Sequence, residues 1–360
     1  MIIGGGIAGA SLLHHFRGRA RVVLLERERL AYGASGRNAG FLLEGTSANY
    51  AAAVAAHGAA RTAEIWSFTQ ETHRLLAEVI GGRTPYRRRG SWTLAASAEE
   101  ALALSASAEL MTSAGFPTTF VEALPAPLEG FAGGLRNDRD GELDPAAAVG
   151  LLAGTEDVNE GCAVTGLRSE GGGVVVETRR GEIRAGVAVL ATNAYTAQLV
   201  PGVPIRPVRA QILATEPEPA LVAECPAYAD WGFQYWRQLE NGRVLCGGYR
   251  DRAVDEEIGY ELEPNPKVQG HLDAHLRMLG VEAAVSHRWA GIMGFTEDSI
   301  PLVGWLPGRP GVAICAGFTG HGLAFAFNAA KHLASMLLGG SPPPLWMDPA
   351  RPGLVSPPAL

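Results

Sequence analysis

The run Met1-Ile2-Ile3-Gly4-Gly5-Gly6-Ile7-Ala8-Gly9 places glycines at 4, 6 and 9 directly after an apolar stretch, a spacing suited to binding phosphate. In a strand–turn–helix setting, Gly4 allows the tight turn and Gly6 lets a pyrophosphate approach the backbone. Gly9 lets the helix lie close on the strand. A helix opening at Ile7 turns its unpaired amides and the positive end of its dipole toward that anion. Val22-Val23-Leu24-Leu25 reads as the next strand, and Glu26 ends it. A carboxylate at that position accepts hydrogen bonds from ribose hydroxyls. A second glycine turn, Gly317-Phe318-Thr319-Gly320-His321-Gly322, lies between the apolar strand Val312 to Ala316 and a long apolar helix from Leu323 to Leu338. Two helix N-termini from opposite ends of the chain are expected to meet on one dinucleotide. A nicotinamide needs no second such turn, whereas a flavin ring benefits from one.

Composition narrows the partners. The chain has 360 residues, 47% hydrophobic and 19% charged, with a net charge of −7. That balance supports no general basic field for nucleic acid. Arg87-Arg88-Arg89 is the dense basic run and reads as a strand with solvated arginines. Lysine occurs only at 267 and 331. The four cysteines, Cys162, Cys225, Cys246 and Cys315, form no metal-ligand spacing and read as buried thiols of a reducing cytoplasm. No apolar run of about 18 residues suggests a membrane span, and no signal peptide precedes the first strand. That strand has three residues before its glycines, so either it is short or the chain start lies inside a longer natural chain.

The positioning elements follow from periodicity. Residues 47–80, 98–114 and 266–279 read as helices, and Asp144-Pro145 as a capped helix start. Val174 to Thr178 and Ile183 form a hairpin feeding Val187 to Asn193, a buried strand ending in small polar residues. Gln211 to Thr215, Phe233 to Gln238 and Arg243 to Tyr249 read as strands of an antiparallel sheet.

Six segments together resemble the flavin-dependent amine and amino-acid oxidoreductases of the D-amino-acid oxidase, glycine oxidase and sarcosine oxidase superfamily. They are Ile3 to Gly9, Gly33-Ala34-Ser35-Gly36-Arg37-Asn38-Ala39-Gly40, Ala191-Thr192-Asn193, Trp289 to Thr296, Asp298 to Gly304 and Ala316 to Gly322. The Ser35 to Asn38 form looks closest to the γ-glutamylputrescine oxidase-like branch. The resemblance implies an α/β fold with α+β elements. Its Rossmann-like FAD-binding domain, of the glutathione-reductase type, comprises 1–82, 144–200 and 290–345. An interleaved antiparallel-sheet substrate domain comprises 83–143 and 201–289, and 346–360 form a proline-rich tail.

The resemblance further implies FAD contacts at Gly4, Gly6, Ile7, Ala8 and Gly9 for the pyrophosphate, and at Glu26 and Arg27 for the ribose. Ser35, Gly36, Arg37 and Asn38 would reach the phosphates or ribityl chain. Val164 would hold adenine through its backbone, and Ala191 and Thr192 would lie beside the dinucleotide. Gly291, Ile292, Gly317, Thr319, Gly320, His321, Gly322 and Leu323 would surround the ring. Departures matter as much. Gly291-Ile292-Met293 lacks the cysteine to which some sarcosine oxidases attach flavin, so FAD is expected to be non-covalent.

Glu44 stands near where relatives place a carboxylate-binding arginine, which favours amines over simple α-amino acids. Tyr235, Tyr249, Arg250 and Trp289 are candidates for lining the substrate face, with Glu44 and His321 beside them. The expected reaction is hydride transfer from the carbon bearing nitrogen to flavin N5, followed by imine hydrolysis. Molecular oxygen is the expected acceptor, with Arg250 or protonated His321 replacing the lysine of several oxidases. The alternatives are a flavin dehydrogenase using another acceptor and a non-catalytic flavin-binding redox protein.

Overall fold

A computed structural model describes residues 1–83, 86–155 and 157–354. Residues 355–360 of the expected tail lie outside the described residues. The central sheet has six strands in the order Leu302–Trp305, Val312–Ala316, Ala188–Leu190, Ile2–Ile3, Leu24–Leu25, Val158–Asn159. The first strand is two residues long and still central. Ile2 and Ile3 pair in parallel with Val189 and Leu190 on one side and with Leu24 and Leu25 on the other. Such short strands hold because both faces are covered. The helices Ile7–Phe16 and Gly322–Leu337 pack together, with His14 and His15 against the Phe327 ring at 5.5 and 4.5 Å. Ile2, Leu12, Leu24, Phe325 and Phe327 belong to one buried cluster.

The second large sheet has eight strands in the order Val285–Phe295, Arg206–Pro217, Arg243–Gly248, Gln234–Gln238, Ala227–Ala229, Ser91–Leu94, Gly134–Asn137, Thr119–Val121. It is antiparallel except where Ala227–Ala229 runs parallel to Ser91–Leu94. Val285–Phe295 pairs with Arg206–Pro217 along nearly its full length and carries the chain back toward the central sheet. The expected single helix at 47–80 is two helices, Tyr50–His57 and Ala59–Ile80, because Gly58 takes a φ of 79° between them. Arg87 is not solvated. It pairs with buried Glu142 at 2.7 Å and with Glu240 at 2.6 Å. At the start of the expected proline-rich tail, Leu345–Met347 forms a 3-10 turn whose Trp346 meets Phe68 edge-on at 5.4 Å.

The turn after the first strand depends on the absence of a side chain. A Cβ on Gly9 would stand 1.9 Å from the Gly4 carbonyl oxygen, a backbone atom that cannot yield. Gly150, exposed in the helix Pro145–Ala153, has nothing within 4 Å of such an atom. Gly9→Ala is therefore expected to lower the urea midpoint sharply or abolish folding. Gly150→Ala should raise stability by about 0.4–1 kcal/mol.

Burial also sets the pH dependence. His15, His73, His275 and His321 are each pushed down to about 4, chiefly by desolvation. Buried Asp140 is pushed up to about 8 by desolvation and the nearby Glu44 charge. In the unfolded chain the histidines take protons below about 6.5. Their contribution is complete above that pH and is lost as pH falls toward 4. Asp140 has the opposite sign: its contribution is complete below about 3.8 and is lost as pH rises through 8. Four histidines outweigh one carboxyl between those limits. Unfolding free energy measured in urea should rise from pH 4 to about 6.5 and decline toward pH 8. A steady fall from pH 4 upward would contradict the assignment.

Candidate functional site

One cavity of about 620 Å³ is lined by residues of both large sheets and both glycine turns. At one end, the Glu26 carboxylate accepts the Gly5 amide at 2.6 Å and the Glu28 amide at 2.8 Å. The geometry fixes that carboxylate at the cavity wall. Arg27 lies 4.1 Å over the Tyr195 ring, and the Cys162 amide donates to the Glu26 carbonyl at 2.8 Å. Val164, Ala191 and Thr192 line the same end.

The first helix opens onto the middle of the cavity. The Ile7 amide donates to Ser35 Oγ at 2.8 Å. The amides of Gly6 and Ala8 have no partner among the described residues. A Cβ on Gly6 would stand 2.7 Å from Ser35 Oγ, so a side chain there would push that hydroxyl from its bond with the Ile7 amide. The loop from Gly33 to Gly40 is held by its own polar groups. Arg37 donates to the carbonyls of Tyr32 and Ala290 at 2.8 and 2.9 Å. Asn38 Nδ2 donates to the carbonyls of Ala34 and Ser35, and its Oδ1 accepts the Gly40 amide at 2.7 Å. Arg37 and Asn38 thus line the cavity while their side chains brace the loop. Gly9, Gly36 and Gly317 do not line it. A Cβ on Gly36 would stand 2.2 Å from the Ala31 carbonyl oxygen, so that glycine closes the loop.

The second glycine turn faces the first across the cavity. The amides of Gly320, Gly322 and Leu323 have no partner among the described residues. Asn193 Oδ1 accepts the Gly317 amide at 2.9 Å, and the Thr319 amide donates to the Gly294 carbonyl at 2.8 Å. The first bond ties the turn to the segment after Ala188–Leu190, and the second ties it to Val285–Phe295, whose Gly291 and Ile292 also line the cavity.

Beyond the turn lies an aromatic chamber. Phe41, Tyr228 and Tyr235 meet edge-on with centroids 5.2–6.0 Å apart, and Tyr228 stacks at 6.5 Å on His321. Arg250 enters this chamber 4.5 Å over Phe233 and 5.7 Å over Phe295. No carboxylate or hydrogen-bond acceptor pairs with its guanidinium among the described residues. Burial draws its pKa below the ordinary arginine value, yet at neutral pH the group stays charged. Tyr228, which the sequence reading did not single out, stands opposite Tyr235 in the ladder.

Four expectations change. Tyr249 does not line the cavity: its φ of 59° ends the strand alternation, and its hydroxyl bonds His275 Nδ1 at 2.8 Å. Trp289 is also outside it. Its Nε1 donates to the Arg37 carbonyl at 2.9 Å, and its ring borders a separate surface hollow beside Glu263 and Arg288. Glu44 lines the cavity, but its charge is matched. Arg139 grips both oxygens at 3.0 and 3.1 Å, and Gln70 and Asn137 donate at 3.1 and 3.3 Å. It has no free charge for an ammonium. His321, pushed down to about 4, is neutral at neutral pH and supplies no cation. Asp140, which sequence reading passed over, also lines the cavity and accepts from Ser91 Oγ at 2.6 Å.

A probable oxidoreductase OrdL from Rhizobium meliloti is 30% identical over 228 residues, covering 58% of this chain and 50% of its own. A 4-methylaminobutanoate oxidase (formaldehyde-forming) from Paenarthrobacter nicotinovorans is 26% identical over 374 residues, covering 95% of this chain and 44% of its own. The chain thus spans about half the length of these two curated relatives. The glycine oxidase of Geobacillus kaustophilus shares the fold with a TM-score of 0.79 at 21% identity, covering 97% of each chain. The family model described as DAO, FAD dependent oxidoreductase, matches residues 1–336, and the chain belongs to that family.

Proposed function

We propose that this protein oxidises the C–N bond of an amine that also carries a carboxylate, with non-covalent FAD, and that oxygen accepts the electrons. The observation that carries the substrate reading is Arg250. A half-buried guanidinium that lines the cavity and has no partner among the described residues offers its donors to an anion there. A carboxylate offers the planar, two-point match that guanidinium prefers. Glycine and 4-methylaminobutanoate, in the names of two similar proteins, both carry one.

FAD fits the cradle. The bare amides of Gly6 and Ala8 suit the pyrophosphate, the Glu26 carboxylate the ribose, and the bare amides of Gly320, Gly322 and Leu323 an electron-rich ring edge. Cys162 is the cysteine lining the cavity, and it stands at the Glu26 end, away from the second turn. That placement supports non-covalent binding. When bound, FAD supplies the two-electron acceptor for a hydride leaving the substrate carbon. Arg250 fixes the carboxylate, and the aromatic walls of Phe41, Tyr228 and Tyr235 hold that carbon and exclude water. Burial keeps both tyrosine hydroxyls protonated, Tyr228 being pushed up to about 12 and Tyr235 raised further. Neither serves as a base. The amine enters neutral, and the imine product is hydrolysed by water.

Arg250→Met should weaken binding of a carboxylate such as acetate or benzoate, titrated by perturbation of the flavin spectrum. The expected loss is about 2–3 kcal/mol, or roughly 30–150-fold. Glu44→Gln should leave that affinity and the preference for carboxylates unchanged. It should lower stability by less than the ~3–5 kcal/mol of a fully buried broken pair, because Arg139 is 24% exposed. A Glu44 variant that gains amino acids and loses amines would reverse the reading.

The acceptor rests on the same cation. A fixed positive charge stabilises the superoxide formed first. Lys267 and Lys331 are paired with Glu256 and Glu71 away from the cavity. Reduced protein mixed with oxygenated buffer should reoxidise rapidly, and Arg250→Met should slow this at least tenfold. Slow reoxidation of the unaltered protein with fast reduction of a quinone would assign a different acceptor.

A further inference from the structure

The turn that opens the last helix holds an uncommon backbone shape. Gly317, Thr319 and Gly320 take φ values of 80°, 46° and 82°. A β-branched residue in the left-handed region is unfavourable unless its surroundings hold it there. Bonds from two other segments do so. The Thr319 amide donates to the Gly294 carbonyl at 2.8 Å, and Thr319 Oγ1 accepts the Thr296 amide at 3.3 Å. From the central sheet, Asn193 Oδ1 accepts the amides of Gly317 at 2.9 Å and Phe318 at 3.4 Å. Asn193 follows the strand Ala188–Leu190 and has a φ of 44°. Asparagine is among the few residues other than glycine that take this conformation readily. Its Oδ1 also lies against Gly294, where a Cβ would stand 2.7 Å from it.

Those bonds fix the orientation of the Asn193 side-chain amide. Backbone N–H groups need an acceptor, so the oxygen must face Gly317 and Phe318, and the nitrogen must face away from them. Nδ2 has no partner among the described residues, and protein atoms do not enclose it. Asn193 lines the cavity, as do Thr319 and Gly320 of the turn it holds. An uncharged donor with two hydrogens is therefore open to whatever occupies the cavity beside the second glycine turn.

We propose that Asn193 both positions the second glycine turn and binds FAD directly: Oδ1 holds the turn in its left-handed shape, and Nδ2 donates a hydrogen bond to the flavin ring. The proposal rests on FAD occupying this cavity and is independent of which amine is oxidised. Reduction adds negative charge to the ring, and a fixed donor beside it favours the reduced form. The open amides of Gly320, Gly322 and Leu323 act in the same direction. Asn193 adds a donor from the central sheet, and the same side chain keeps those amides in place.

Two substitutions suit the left-handed backbone and separate the two roles. Asn193→Asp keeps an oxygen for the Gly317 and Phe318 amides and puts a carboxylate oxygen where Nδ2 stands. Two backbone donors keep that carboxylate ionised. Asn193→Gly removes the tether and the donor together. The FAD-loaded proteins are reduced stepwise with dithionite beside a dye of known potential, with no amine present. FAD release into FAD-free buffer is followed separately by flavin fluorescence. Asn193→Asp should lower the two-electron potential by at least about 30 mV, a tenfold loss in binding of reduced relative to oxidised FAD. Asn193→Gly should lower the potential as well and release FAD roughly tenfold faster. A side chain that only holds the turn would leave Asn193→Asp at the potential of the unaltered protein, and that result overturns the bond to FAD. Unchanged FAD release from Asn193→Gly overturns the positioning role. Should Asn193→Gly fail to fold, the potential of Asn193→Asp decides. Loss of FAD from folded Asn193→Asp counts with a lowered potential, since its tether is kept. Colourless unaltered protein would overturn FAD binding itself, whereas yellow protein whose potential neither substitution moves overturns the role of Asn193 alone.

Discussion

Two helices point their N-termini into one cavity with amides that have no partner among the described residues, and the fold is organised around that shared deficit. A helix start leaves four N–H groups unpaired, and burying them without an acceptor is unfavourable. Here the first helix gives one to Ser35 Oγ and leaves Ala8 open, while the last leaves Gly322 and Leu323 open. The helices pack side by side through His14, His15 and Phe327, which brings their starts to the same face of the central sheet. A Cβ at Gly4, Gly6 or Gly9 would meet the Ala191 carbonyl oxygen at 2.7 Å, Ser35 Oγ at 2.7 Å or the Gly4 carbonyl oxygen at 1.9 Å. An anionic ligand along this face completes both ends together.

The parts legible in the sequence were those set by local geometry. The glycine spacing, the acid after the second strand and the late glycine turn each follow from a few adjacent residues. The chamber was less legible because it depends on pairing over long separations. Glu44 reads as a free acid until Arg139, 95 residues later, is seen gripping it. Tyr249 and Arg250 are neighbours on a strand pattern, and alternation alone does not say which faces inward. A left-handed backbone at Tyr249 decides it, sending the tyrosine to His275 and leaving Arg250 in the chamber. Trp289 is a brace for the Arg37 loop, a role no periodicity announces.

Ion pairs join the pieces that the chain order separates. Glu142 meets both Arg87 and Arg237 with its side chain 3% exposed. This links a three-stranded sheet, made by Phe41–Leu42, Tyr86–Arg87 and Gly141–Leu143, to the eight-stranded one. Arg209 and Glu257 form a second buried pair, extended by Gln211. Removing one partner of such a pair is costly, while the intact pair adds little net stability. The value of the Glu142 pairs lies in fixing how those two sheets meet, and the chamber, with Phe41 from one and Tyr228 and Tyr235 from the other, lies where they meet.

The Ser35 hydroxyl and the Glu26 carboxylate have one more consequence. They hold the Ile7 and Gly5 amides with protein atoms, so part of the turn's shape is written into the Ser35 loop and the end of the second strand. The cradle is a joint product of three separate chain segments, and a change in any one of them alters the shape offered to the phosphates.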